Sequence, residues 1–152
     1  MLKHRTMKKF LLLIALVAGA FTMAQARDTY AHDASVLPEA ARTTIVNNFK
    51  AGVSVVKIDK DFGRISEYDV VLDDGTEIGF DRNGNWDKVE VNNTKSVPTS
   101  IIPTSIRTTV AKLQPKQRIV GIEKERRGYD VKLSNGVEMK FDRDGKFIRY
   151  DD

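Results

Sequence analysis

The 152-residue sequence predicts an α+β protein built as two tandem units. Each unit is one helix followed by a four-stranded antiparallel meander, and the units join into one twisted sheet with both helices on one face. Three observations carry this. The segment Tyr68-Asp69-Val70-Val71-Leu72-Asp73-Asp74-Gly75-Thr76-Glu77-Ile78-Gly79-Phe80-Asp81-Arg82-Asn83-Gly84 returns, at constant spacing, as Tyr129-Asp130-Val131-Lys132-Leu133-Ser134-Asn135-Gly136-Val137-Glu138-Met139-Lys140-Phe141-Asp142-Arg143-Asp144-Gly145. A shared spacing of this kind marks a duplicated unit, since both copies must satisfy one local structure. Apolar residues in these segments alternate with period two, as strands with one buried face require. Asn83-Gly84, Asp144-Gly145, Asn135-Gly136 and Asp74-Gly75 fall between the alternating runs, where tight hairpin turns need backbone with positive φ.

The elements follow in chain order. Met7-Lys8-Lys9, the apolar run Phe10 to Ala20 and the small residues Ala24-Gln25-Ala26 read as a signal peptide over residues 1–26, cleaved after Ala26, with translation starting at Met1 or Met7. The apolar run is too short to span a bilayer, and no Cys follows it to carry a lipid. The expected location is the periplasm or the outside, with no membrane span left after cleavage. Residues 27–36 are polar and read as a flexible leader whose His32 is a surface residue. The first unit covers residues 37–91. Pro38 suits the first helical position, and Ala41, Ile45, Val46 and Phe49 recur at helical spacing. Strands are expected around Val56 and Ile58, from Tyr68 to Leu72, at Ile78 and Phe80, and from Trp86 to Val91. Residues 92–101 form a polar connector. The second unit, 102–152, repeats the pattern with Pro103, then Ile106, Val110 and Leu113, then strands at Val120 and Ile122, Tyr129 to Leu133, Val137 to Phe141 and Phe147 to Tyr150. Pairing the meanders edge to edge removes one exposed edge from each, which favours one sheet of about eight strands over two beads on a linker.

Charge and composition narrow the function. The formal charge of +4 comes wholly from the signal segment, whose Lys3, Arg5, Lys8 and Lys9 face no acid, leaving 21 bases against 21 acids in the exported part. A nucleic-acid protein needs a surplus of Lys and Arg to release counterions, and this chain has none. The same balance speaks against a basic membrane-surface protein. Zero Cys leaves stability to burial and backbone pairing, and His32 is the single histidine after residue 26. With no Cys nucleophile, no Gly-x-Ser-x-Gly elbow and no phosphate loop, the chain reads as non-enzymatic. Residues 37–91 hold 7 bases and 11 acids, whereas residues 102–152 hold 12 bases and 8 acids.

The signal segment, the two Pro-started helices and the paired motif from Tyr68 to Trp86 and from Tyr129 to Phe147 resemble the PepSY-like, beta-lactamase-inhibitor-like family of small periplasmic proteins common in Bacteroidetes. The resemblance covers nearly all of the exported chain. It implies a BLIP-like tandem of helix on sheet, and a role in binding or inhibiting a protein or peptide. It brings no catalytic residues.

Side chains along a strand alternate, so the neighbours of the inward apolar residues face out. Five acidic positions are matched between the units: Asp59 with Glu123, Asp61 with Glu125, Asp69 with Asp130, Glu77 with Glu138, and Asp81 with Asp142. Carboxylates gathered on one face suit a basic peptide or a hard cation. They equally suit a solvated face whose charges pair across strands. Asp81, Asn83, Asn85 and Asp87 sit at alternate positions like the start of a calcium loop, yet Trp86 and Asn92 stand where such a loop needs Gly and Glu. Two readings therefore remain: a periplasmic interaction module without a cofactor, and a small-ligand or calcium-binding envelope protein.

Overall fold

The computed structural model describes residues 28–151; the signal segment lies outside the described residues. Among the described residues the fold is α+β, with two α-helices and nine strands. In order these are β1 (Thr29–Ala31), α1 (Glu39–Asn48), β2 (Val53–Asp61), β3 (Arg64–Leu72), β4 (Glu77–Asp81), β5 (Trp86–Glu90), α2 (Thr104–Leu113), β6 (Ile119–Glu125), β7 (Gly128–Leu133), β8 (Glu138–Asp142) and β9 (Phe147–Asp151). All nine strands form one open sheet in sequence order, and each neighbouring pair is antiparallel.

The junction of the halves is β5 against β6, with Lys88 opposite Glu123, Val89 opposite Ile122 and Glu90 opposite Gly121. This pairing makes one sheet rather than two beads. The inner face is apolar. Val56, Val70, Ile78, Phe80, Val89, Ile122, Val131 and Met139 are fully buried there, and Ala41, Ile45, Ile106 and Val110 from the two helices join the same core. Burying a side chain the size of Phe80 contributes about 1.5–3 kcal/mol, so this face dominates stability. Neither helix has a side-chain cap; Pro38 and Pro103 precede the first helical residue, and their carbonyls accept from Arg42 and Arg107 at 3.1 Å.

Four expectations change. The leader is not unstructured: Thr29, Tyr30 and Ala31 pair with Ile58, Lys57 and Val56 as a ninth strand, and a 3₁₀ turn over Ala34–Val36 leads to buried Leu37. His32 stays exposed, with Nδ1 at 3.1 Å from the Ser54 carbonyl oxygen. Val46 is 78% exposed, because it follows Ile45 by about 100° on the helix and cannot share its buried side. Leu113, in the last turn of α2, is likewise 40% exposed. The connector is held in place: Val97 and Ile101 are buried, and the Arg118 guanidinium donates to the carbonyls of Lys95 at 2.7 Å and Asn93 at 2.8 Å.

Gly84 and Gly145 serve two ends at once. Their φ angles are +85° and +76°, as the hairpin turns require, and the helix starts press against both. A Cβ on Gly84 would lie 2.9 Å from the Ala41 nitrogen, and one on Gly145 would collide with Ser105.

Candidate functional site: carboxylates on the outer face of the sheet

The outer face carries a row of polar residues across strands β2 to β9. Register places Lys57, Asp69, Gly79, Lys88, Glu123, Asp130, Lys140 and Arg149 side by side. Toward the β2–β3 turn, the next row opens with Asp59, Glu67 and Asp81 in direct opposition. Like charges directly opposed on neighbouring strands repel, so this corner needs a cation.

Lys57 supplies part of it. Its ammonium lies 2.7 Å from Asp59, 3.6 Å from Asp28 and 4.0 Å from Asp69. One lysine thus serves three carboxylates. Burial pushes the Asp69 carboxyl up to about 7, with the charges of Glu67 and Asp59 adding to it against Lys57. Oxygens of Asp59, Glu67 and Asp69 all lie within 4.8 Å of one another. Two oxygens on one calcium ion, each about 2.4 Å from it, span at most about 4.8 Å. The cluster therefore has the dimensions of a hard-cation site.

Gly79 opens the space beside it. A Cβ there would stand 2.6 Å from an Asp87 oxygen and 3.8 Å from an Asp69 oxygen, so two carboxylates lean over bare backbone. Asp87 is the extra residue at the β4–β5 bulge, and burial raises its carboxyl, with Asp81 adding to the effect. The second meander differs at this point. Lys140 holds the position of Gly79, and its ammonium reaches Asp130 at 2.9 and 3.0 Å and Asp151 at 3.4 Å.

The other expected site residues are dispersed. Asp61 is exposed at the hairpin end opposite Arg64, and Glu125 is exposed opposite Gly128. Glu77 is 8% exposed; burial, reinforced by Glu90, pushes its carboxyl up to about 7. Glu123 is raised to about 7 as well, burial outweighing Lys88 at 4.0 Å. Glu138 lies between Lys132 and Asp151 in register. Asp81 and Asp142 hold their own turns. Asp81 accepts from the Asn83 and Asn85 amides at 2.9 Å, and Asp142 accepts from Asp144 at 3.0 Å and Lys146 at 2.8 Å. Partial burial raises Asp81, but these bonds together outweigh it and leave its pKa lowered. The loop Asp81, Asn83, Asn85, Asp87 forms the β4–β5 hairpin turn, whereas the acids that come together at metal-ligand spacing among the described residues are Asp59, Glu67 and Asp69.

Two of the acidic matches between the halves are corrected by the register. Asp69 faces Lys57, while Asp130 faces Glu123, so Glu123 corresponds to Lys57 rather than to Asp59. Asp59 faces Glu67 as Glu125 faces Gly128, so these two correspond, and Asp61 has no counterpart. The cause is length: seven residues lie beyond the Asp59–Glu67 pair, and two beyond Glu125–Gly128.

Residues 66–149 match the family described as "Putative beta-lactamase-inhibitor-like, PepSY-like". The chain belongs to this PepSY-like family. Solved structures agree with the PepSY-like assignment. A Bacteroides vulgatus protein, described as a periplasmic protein of unknown function, is 37% identical with a TM-score of 0.77, covering 82% of this chain and 99% of its own. A Bacteroides thetaiotaomicron protein, described as a "putative calcium-regulated periplasmic protein", is 32% identical with a TM-score of 0.75, covering 82% and 97%. A second B. vulgatus periplasmic protein, of the DUF2874 family, is 32% identical with a TM-score of 0.75, covering 85% and 100%. No curated protein matches the chain. Among the described residues, no helix is long and apolar enough to cross a membrane.

Within the PepSY-like match, Glu67 and Asp69 are included and Asp59 falls outside. Glu67 is the site residue that sequence reasoning missed. Gly128 takes its place in the second half, so the internal match gave no signal there. Strand parity did: Glu67 is two residues from Asp69 and shares its face.

Proposed function

We propose that the protein is a non-enzymatic periplasmic binding module, a duplicated scaffold of the BLIP-like kind, that takes calcium at Asp59, Glu67 and Asp69. The convergence of these three carboxylates beside one shared lysine and the bare backbone of Gly79 carries the reading. A hard cation with oxygen ligands suits the set, and calcium tolerates the irregular geometry that side chains from two neighbouring strands provide. The calcium-regulated description of the B. thetaiotaomicron neighbour supports the same reading. Calcium would neutralise the acidic corner and let the outer face meet a protein or peptide partner, the role that the family description suggests. Calorimetry on metal-free protein tests it. Calcium should give saturable heat and a higher melting temperature, and Asp69→Asn should abolish both. Absence of heat and of any melting shift sinks the calcium reading.

A further inference from the structure

Strand β1, three residues long, is the shortest of the described strands and forms one edge of the sheet. It occupies on β2 the place that β5 occupies on β6. Tyr30 faces Lys57 as Lys88 faces Glu123, and Ala31 faces Val56 as Val89 faces Ile122. The two seams differ in strength: β5 brings five residues to its seam and β1 only three, of which Thr29 and Tyr30 are exposed. Edge elements with few buried contacts are where local opening of a fold begins.

Charge at the start of β1 bears on how firmly it is held. Pairing with β1 stops at Thr29 opposite Ile58, whereas β2 and β3 run on to Asp61 opposite Arg64 and close through Phe62 at φ +51°. One step past the Thr29–Ile58 pair, Asp28 falls level with Asp59. Burial, and then the Asp59 carboxyl beside it, raise the Asp28 carboxyl against the pull of Lys57. The acidic row of the cation site thus extends to the edge strand, as Asp28, Asp59 and Glu67. Like charges so opposed repel. Lys57 links the two places. Of the three carboxylates it reaches, Asp59 and Asp69 belong to the cation cluster, and Asp28 leads into β1.

We propose that calcium at Asp59, Glu67 and Asp69 fastens β1 to the sheet through Asp28, and so controls whether the edge of β2 is covered. The inference rests on the calcium reading above. When ionised, the three acids and Lys57 carry three negative charges against one positive, and the two charges of calcium cancel the remainder. The repulsion on Asp28 is then removed. Calcium also repels the Lys57 ammonium from Asp59 and Asp69, which leaves it to Asp28, 3.6 Å away. Both effects act in one direction. With calcium, β1 is held and covers the backbone of β2. Without it, Asp28 competes with two acids for one lysine, and β1 opens more often. The coupling is reciprocal, so a β1 that is held strengthens calcium binding by the same factor.

Hydrogen–deuterium exchange of the protein of residues 27–152, with calcium and with a chelator, tests it. Calcium should slow exchange in β1 and at the β2 amides that face it by about threefold or more, the size expected of one partly exposed ion pair. Strands β8 and β9, at the far edge, should not change. Asp28→Asn should still give saturable calcium heat, about threefold weaker, and should lose the calcium-dependent slowing in β1. Asp28 stands partly exposed at the start of an edge strand, so the variant should keep the fold. Calcium heat without slower exchange in β1, or equal slowing in Asp28→Asn, overturns this inference and leaves the calcium site standing. Absence of calcium heat overturns both.

Discussion

At the residue scale the two halves differ in what stands beside one matched acid. Asp69 and Asp130 occupy the same place in their meanders, yet the neighbour on the next strand is Gly79 in one and Lys140 in the other. The lysine neutralises its half from within, and the glycine leaves three carboxylates to share Lys57. Gly79→Lys should therefore transplant the internal cation. Its Cβ would push against the Asp87 carboxylate at 2.6 Å, the far end of a side chain that can turn aside, and approach the Lys88 Cβ at 3.3 Å, so the fold should survive with a small local shift, and the calcium-induced melting shift should vanish. Retention of that shift would falsify the site. Asp69 was legible from strand parity and from the internal match, and Asp59 from strand parity alone, but their convergence with Glu67 was not, because partners across strands depend on register. Phe62 was invisible to pattern alone. Left-handed backbone at a non-glycine residue costs roughly 1–2 kcal/mol, a cost that no sequence motif announces.

At the element scale, the hairpin turns and both helices were readable because their signals are local. Gly in the turns supplies positive φ, and Pro sets the start of each helix. The face a helical residue presents was less readable, as Val46 shows, since an apolar side chain at the edge of the stripe can turn either way. β1 was missed because three residues carry no usable periodicity, and its pairing depends on the open edge of β2. The second hairpin gives a sharp test of element packing. Gly128 lies where β7 crosses β8, and a Cβ there would stand 1.8 Å from the Phe141 carbonyl oxygen. Gly128→Ala should part these strands at their start and destabilise the protein by about 2 kcal/mol or more, measured by urea denaturation. The shorter hairpin has no room to shift, since two residues close it beyond Glu125.

At the scale of the whole molecule, the outer face makes stability depend on pH. Glu77 and Glu123 have folded pKa values of about 7, raised from 4.5 chiefly by burial. Between about 4.5 and 7 the folded state holds more protons than the unfolded state, so stability falls as pH rises through that window. Groups with lowered values, such as Asp81 and Asp151, act in the opposite sense, near and below their ordinary value of 3.8. Metal-free protein should therefore melt higher at pH 5 than at pH 8. Glu123→Gln should raise the melting temperature by a few degrees at pH 8, with ~1 kcal/mol moving it by roughly 2–8 °C in domains of this size, and change little at pH 5. A pH-independent increase would contradict the burial of its charge. The sequence by itself determined the strand alternation, the turns, the two helices, the α+β class and the zero net charge of residues 27–152. Each of these follows from residues close together in the chain. Tertiary structure alone decided that β5 meets β6, that Glu67 joins Asp59 and Asp69, and that β2 and β3 outrun their neighbours. Those are consequences of register and strand length, and a sheet's register emerges only when distant segments compete to bury one common face.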